Sequence, residues 1–157
     1  LELVCAIGGP PQVWLGVLVH EFCHFKQWRD NEPLYLNMNV RNVHALNIMS
    51  NWLQGTEYKK STLDLAFTKI KKMELDCEHR SVELIREWDL PINTDNYIKS
   101  ANRYIHFYNF VRKYRTWDNI YNKSYREVSH LMPIDLIDEY TKTPSNVMSI
   151  FTEKLSV

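Results

Sequence analysis

The chain has 157 residues, of which 45% are hydrophobic and 24% charged, and this predicts one folded domain over residues 1–157. Lys and Arg total 19, as do Asp and Glu, so the overall charge gives no reason to expect binding to nucleic acid or to an anionic membrane. No stretch reaches the roughly 18 consecutive apolar residues of a membrane-spanning helix. The three cysteines form no pairing pattern, which favours a reducing compartment such as the cytoplasm over a disulfide framework.

The first predicted elements are a short strand over residues 1–7 and a helix over residues 11–29, separated by glycines and prolines that break regular structure. The helix is apolar almost all round, and a helix of this kind is normally buried on every side. Gly16 lies one turn before His20 on nearly the same side of the helix. The missing side chain at Gly16 would allow another group to approach closely there.

The later predicted elements are helices over 43–53, 61–88 and 95–114, followed by a loop and two short helices over 117–157. The long second helix has a start that resembles a capping box, from Ser61 to Asp64. It should end before Pro91, because a residue that precedes proline is disfavoured in a helix. This series of elements predicts a mainly α protein.

Residues 20–24 read HEFCH, which is an HExxH motif on the first helix. The spacing of four places both imidazoles on one helix face, one turn apart, as two ligands of one zinc ion require. Glu21 is rotated by about 100° from His20, close enough to reach a water molecule at such a metal. We therefore predict His20 and His24 as zinc ligands and Glu21 as the general base. The alternative is that both histidines are hydrogen-bonded core residues.

A catalytic zinc site needs a third protein ligand, and the long helix offers candidates. At about 100° per residue, Glu74 lies at the centre of the apolar face of this helix, and the other members of the face fall within about 40° of it. These members are Leu63, Phe67, Ile70, Ser81, Ile85 and Trp88. A carboxylate in an apolar stripe needs a partner, so we predict Glu74 as the third ligand and Glu78 as the second choice. Asp76 and His79 fall on the opposite, charged face and are disfavoured.

Glu78 follows Glu74 by one turn on the same helix face. A histidine that binds zinc usually donates its other N–H to a carboxylate, which fixes its tautomer and orientation. We predict this supporting role for Glu78. The alternative is that both glutamates form a helix edge exposed to solvent.

The two motifs together resemble the gluzincin class of zinc metallopeptidases, in which a glutamate ligand follows HExxH in an E-x-x-x-D/E helix. Here the corresponding letters are HEFCH and, over residues 74–78, ELDCE. The stretch is also similar to the E-x-x-A-N/D-x-F-A-x-x-L-L segment of small ImmA/IrrE-type peptidases, with Cys77 at the small position and Arg80 in place of an aromatic residue. The chain further resembles metallopeptidases encoded by tailed bacteriophages, which would act in the cytoplasm of the host.

The resemblance covers about residues 20–90 and implies a zincin-like core, in which a small sheet packs on the active-site helix. Only about ten residues precede that helix, so either the sheet lies upstream of Leu1 or the fold is a reduced version with a small or missing sheet. We expect the metal core within residues 11–90 and a helical part within residues 91–157. The activity implied is hydrolysis of a peptide or protein substrate with Zn²⁺ as cofactor.

Sites of this kind often add a Tyr, His or Arg that donates to the oxyanion. Tyr104 and Tyr108 are the candidates, because they lie on the apolar face of the helix predicted over 95–114. The alternative for both is ordinary core packing. His106 falls on the polar face of the same helix, and we expect it to be exposed.

Two other functions remain open from the residues alone. One is a binding or regulatory module that keeps zinc for its structure, although a structural site does not need Glu21. The other is a nucleic-acid or phage-assembly accessory protein that uses the locally basic segment 99–126. The balanced overall charge argues against that function, and we expect the segment to be a solvated face.

Overall fold

The computed structural model describes residues 10–117, 126–137 and 142–153. This part of the chain is mainly helical, with one two-stranded sheet, so the predicted mainly α class is confirmed. The elements are α1 (Pro11–Arg29), α2 (Pro33–Leu36), β1 (Asn39–Val40), β2 (Val43–His44), α3 (Ala45–Leu53), α4 (Lys60–Glu87), α5 (Thr94–Tyr114), a 3-10 helix (Val128–Leu131) and α6 (Ser145–Thr152). The strand predicted over residues 1–7 lies outside the described residues.

The long helices begin and end close to where the sequence predicts, but one capping prediction is wrong. Helix α4 begins at Lys60, so Ser61 lies inside its first turn, and no side chain caps this end. Asp64 instead accepts a hydrogen bond of 2.8 Å from Nη2 of Arg112 on α5. Helix α5 does have a capping side chain, because Oδ1 of Asn93 accepts from a backbone N–H in the first turn.

Strands β1 and β2 form an antiparallel hairpin. Its two turn residues, Arg41 and Asn42, have φ angles of 50° and 66°. Positive φ at both central residues is the turn geometry that matches the natural twist of two paired strands. This hairpin follows α1 in the chain, packs on α4 and is the one sheet in the part of the chain that the structure describes. The sheet that the resemblance implies on the active-site helix stays a prediction.

Helix α4 is the centre of the fold, since α1, α3 and α5 all pack against it. The larger core lies between α3, α4, α5 and the C-terminal helices, and its largest members include Trp52, Phe67, Phe107, Tyr108 and Phe110. A smaller core between α1 and α4 consists of Val19, Cys23, Cys77, Leu84 and Ile85, with Tyr97 packed against it. The HExxH motif therefore lies where α1 meets the central helix.

Helix α1 is not buried on every side, contrary to what its composition predicts. Its buried residues are Gly16, Val19, Cys23 and Gln27. Val13, Val17 and Trp28 are 63%, 47% and 47% exposed, because α1 packs mainly on one long helix, α4, which covers only one of its faces. Within residues 10–117, 126–137 and 142–153, no helix combines the length and the apolar composition needed to cross a membrane.

The polar face of α5 also differs from the prediction, since His106 is only 3% exposed. The cause is the chain that follows α5, which folds back over this face. Nδ2 of Asn102 donates to the carbonyl oxygens of Pro133 and Asp135 at 3.1 and 2.9 Å. Nδ1 of His106 lies 3.2 Å from Oγ1 of Thr143. Polar residues on this face are thus buried by segments distant in sequence.

Candidate metal centre

His20 and His24 lie one turn apart on α1, at its contact with α4. Their side chains are 14% and 18% exposed. The two rings are nearly perpendicular, at 89°, with centroids 4.6 Å apart. The two Nε2 atoms are 3.1 Å from each other. The HExxH spacing therefore turns the same nitrogen of each ring towards one point.

Glu74, from the middle of α4, completes this group. Its Oε2 lies 3.3 Å from Nε2 of His20 and 3.3 Å from Nε2 of His24. Three ligand atoms placed at about 2.0–2.1 Å from a tetrahedral zinc ion lie about 3.3–3.4 Å from one another. The three atoms thus have the mutual spacing of three corners of a zinc coordination tetrahedron, and the residues present fit this metal.

The electrostatics of the group favour a cation. Burial raises the pKa of Glu74, but its hydrogen bonds with His20 and His24 outweigh burial, and the pKa lies at about 2. Burial lowers the pKa of His20, but the hydrogen bonds and charges of Glu74 and Glu78 raise it to about 11. Glu74 and Glu78 are both buried, with 6% and 5% of their surface exposed. The pKa of His24 is also raised by Glu74, so without a metal the protons on the imidazoles balance the two buried carboxylates, and a divalent cation that displaces those protons would take over this balance.

Glu78 lies on the other side of the His20 ring, in the supporting position that the sequence predicts for it. Its Oε1 is 3.2 Å from Nδ1 of His20, which leaves Nε2 of that ring directed at Glu74. Its Oε2 accepts a hydrogen bond of 2.7 Å from the hydroxyl of Tyr97. Burial and the charge of Glu78 raise the pKa of Tyr97, so the hydroxyl keeps the proton that it donates. No role for Tyr97 is predicted from the sequence.

Gln27 has a comparable position beside His24. It is fully buried, at 0% exposure, and its Oε1 lies 2.8 Å from Nδ1 of His24. Its Nε2 donates to the carbonyl oxygen of Met73 at 3.1 Å and to Oδ2 of Asp76 at 2.8 Å. Asp76 is therefore engaged by α1, although the sequence placed it on a solvent face. Gln27 is not among the site residues predicted from the sequence, although its position three residues after His24 on the same helix face is a signal for it.

Cys77 forms an alternative ligand set with His20 and His24, since their ligand atoms lie within 4.8 Å of one another. Two observations favour Glu74 over Cys77. The sulfur lies 3.6 Å from Nδ1 of His20, which is not the nitrogen that faces His24. The thiol also donates to the carbonyl oxygen of His20 at 3.1 Å, and burial raises its pKa, whereas zinc binds the thiolate.

The two candidate oxyanion donors occupy different positions. The hydroxyl of Tyr108 is buried and donates to Oε1 of Glu74 at 3.2 Å. The hydroxyl of Tyr104 lies 2.9 Å from that of Tyr108, and its ring meets the ring of His20 edge-on, with centroids 6.4 Å apart. Because Tyr104 is only partly buried, it is the better placed of the two to meet a substrate.

Glu21, the predicted general base, follows His20 on α1, and its side chain is exposed. At about 100° per residue it lies on the same uncovered side of the helix as Val17 and Trp28. The partly exposed edges of His20 and His24 adjoin that side. Glu21 therefore stands on the face from which water or a substrate would reach the two imidazoles.

The basic segment 99–126 is described over residues 99–117 and at residue 126. Arg112 pairs with Asp64 at 2.8 Å and Arg115 with Glu57 at 2.5 Å. Both guanidinium groups also lie within 5.5 Å of the ring centroid of Trp52. These arginines tie the end of α5 to neighbouring elements, which leaves less of their charge for an anionic ligand.

Comparisons of this chain with protein-family models, with curated proteins and with solved structures find no match. Its function is therefore inferred from the site itself.

Proposed function

We propose that this chain is a zinc-dependent metallopeptidase of the gluzincin type, in which His20, His24 and Glu74 bind the metal and Glu21 is the general base. One observation carries the proposal: three ligand atoms from α1 and α4 meet at mutual distances of 3.1, 3.3 and 3.3 Å. Helices α1 and α4 would form the helical half of a zincin-like core.

Bound zinc would polarise the scissile carbonyl group and lower the pKa of a water molecule towards ~7. Glu21 would accept a proton from the attacking water and pass it to the departing amine. Tyr104 would donate a hydrogen bond to the substrate oxygen that gains negative charge. Tyr108 would hold Glu74, and Glu78 would hold His20, in the orientation that metal binding requires.

A catalytic role suits this site better than a structural one. Structural zinc sites usually have four protein ligands and are closed, whereas catalytic sites use three and keep one position open. Here three ligand atoms converge, and both imidazoles keep part of their surface exposed. Glu21, exposed beside them, has no part in a structural site but is the residue that a hydrolase needs.

The deciding experiment is elemental analysis of the purified parent and of a His20→Ala/His24→Ala variant, followed by a search for peptide hydrolysis. The parent should hold about one zinc per chain, and the double variant should hold none. Glu21→Gln should keep zinc and lose about 10²–10⁴-fold in hydrolysis rate. Glu87→Gln is the matched control, because Glu87 is exposed at the far end of α4.

Each failure has a different meaning. A parent without zinc, even after zinc is supplied, would overturn the metal centre. A fully active Glu21→Gln variant would overturn the assignment of the base. A parent that holds zinc but hydrolyses no peptide in a broad library would favour a non-catalytic module stabilised by zinc.

A further inference from the structure

The side-chain amide of Gln27 has one orientation that its surroundings allow. On its α4 side it faces the carbonyl oxygen of Met73 and Oδ2 of Asp76, at 3.1 and 2.8 Å from Nε2. Both of these atoms are hydrogen-bond acceptors. If the amide were reversed, the oxygen of this fully buried side chain would face two other acceptors with no proton between them, and its NH₂ group would lose both of these acceptors. Nε2 therefore points to α4, and Oε1 points to His24.

This orientation determines which nitrogen of His24 carries the proton. Oε1 of Gln27 lies 2.8 Å from Nδ1 of His24 and can only accept a hydrogen bond. The proton must therefore be on Nδ1, and the lone pair of the neutral ring is on Nε2. Nε2 is the atom that lies 3.1 Å from Nε2 of His20 and 3.3 Å from Oε2 of Glu74. The amide thus selects the tautomer that binds a metal through Nε2.

A closed ring of contacts keeps Gln27 in this position. Asp76, which accepts from Gln27, also accepts from Nε of Arg80 at 2.7 Å. Nη2 of Arg80 lies 3.0 Å from Oε1 of Glu32. The backbone N–H of Glu32 donates at 2.9 Å to the carbonyl oxygen of Gln27. This closed set of contacts joins the end of α1 to α4 and holds the His24 side chain beside Glu74.

We propose that Gln27 is a positioning residue of the metal centre, which fixes the tautomer and the ring orientation of His24 as Glu78 does for His20. The inference rests on the proposed function, since it concerns a ligand of the proposed zinc ion. The two supporting groups differ in charge: a carboxylate holds one imidazole, and a neutral amide holds the other. Orientation of His24 is therefore obtained without a third buried negative charge at the site.

The first test needs no variant. A long-range ¹H–¹⁵N correlation spectrum of the zinc-loaded protein, labelled with ¹⁵N in histidine, reports the state of each ring nitrogen. His24 should show a protonated Nδ1 and a metal-bound Nε2. A spectrum in which His24 binds zinc through Nδ1 would overturn the inference.

The second test is the zinc affinity of Gln27→Met, measured by competition with a chromogenic chelator. Affinity should fall by about 10–100-fold, as is typical when a group that orients a metal-binding histidine is lost. Gln12→Met is the matched control, because Gln12 is exposed near the start of the same helix, and its affinity should equal that of the parent.

An exchange variant separates positioning from simple filling of space. Gln27→Glu combined with Asp76→Asn keeps an acceptor for His24 and a hydrogen bond between the two side chains. It should bind zinc more tightly than Gln27→Met, and an affinity no better than that of Gln27→Met would contradict the inference.

If Gln27→Met binds zinc as tightly as the parent, the inference fails and the metal centre stands. If the parent binds no zinc, the proposed function fails as well.

Discussion

The ring of Tyr97 occupies the space that the missing side chain of Gly16 leaves on α1. A Cβ atom placed on Gly16 would lie 3.3 Å from Cδ2 and 3.4 Å from Cε2 of that ring. The hydroxyl of Tyr97 donates to Glu78, which in turn lies 3.2 Å from Nδ1 of His20. The close approach that the sequence predicts at Gly16 is therefore that of α5, and it supports His20, the proposed metal ligand one turn further along α1.

The contact between Gly16 and Tyr97 can be measured with a double-mutant cycle. Alanine is favoured over glycine in a helix by about 0.5–1 kcal/mol, but in the parent the contact with Tyr97 would oppose this gain. In a Tyr97→Ala background, Gly16→Ala should show the gain in full. Urea unfolding should give a coupling of about 1 kcal/mol between the two positions. Equal effects of Gly16→Ala in both backgrounds would show that the two residues do not interact.

Zinc affinity should distinguish the ligand from the groups around it. Glu74→Ala should weaken zinc binding far more than Glu78→Ala, because Glu74→Ala removes a ligand atom. Glu78→Ala removes only a group that orients a ligand, and such a change typically lowers metal affinity by about 10–100-fold. Cys77→Ala should bind zinc nearly as tightly as the parent, since its thiol donates to a backbone carbonyl. Isothermal titration of the three variants measures this order. Full metal content in Glu74→Ala, together with loss of zinc in Cys77→Ala, would identify Cys77 as the ligand.

Removal of the Tyr97 hydroxyl should weaken zinc binding through Glu78, which accepts a hydrogen bond from it. In Tyr97→Phe, one oxygen of this buried carboxylate loses its donor, and we expect zinc affinity to fall by about tenfold. Tyr114→Phe is the matched control, since Tyr114 is 36% exposed at the end of α5, the helix that also carries Tyr97. If both variants bind zinc as the parent does, Tyr97 serves only to pack the smaller core.

The parts of the site that could be predicted from sequence depend on local helical geometry. The spacing of His20 and His24 places them on one face of α1, whatever packs against it. The place of Glu74 in an apolar stripe follows from the same periodicity. These residues do come together in the structure, with the supporting carboxylate of Glu78 beside them.

The parts that could not be predicted depend on contacts between distant segments. The helical spacing places Gln27 on the same face as His24. Its complete burial, however, results from packing against α4, where it contacts Met73, a residue 46 positions later in the chain. The apolar composition of α1 predicts burial on all sides, yet composition does not say how many partners a helix has. His106 lies on a polar face, and only the return of Thr143, 37 residues later, buries it.

Burial of His106 should make the protein less stable in mild acid. Burial and the charge of Lys71 lower the pKa of His106 to about 4, whereas an unfolded histidine titrates near about 6.5. Between these values the unfolded chain binds a proton that the folded chain does not, so stability is full above the higher value and falls as the pH decreases. Between about pH 7 and pH 5, the parent should lose about 1–2 kcal/mol more free energy of unfolding than His106→Asn, which has no titrating group at this position. Urea unfolding of the metal-free proteins across this range measures the difference. Because all other groups titrate alike in both proteins, parallel pH profiles would mean that His106 is solvated, as its place on the polar face of α5 predicts.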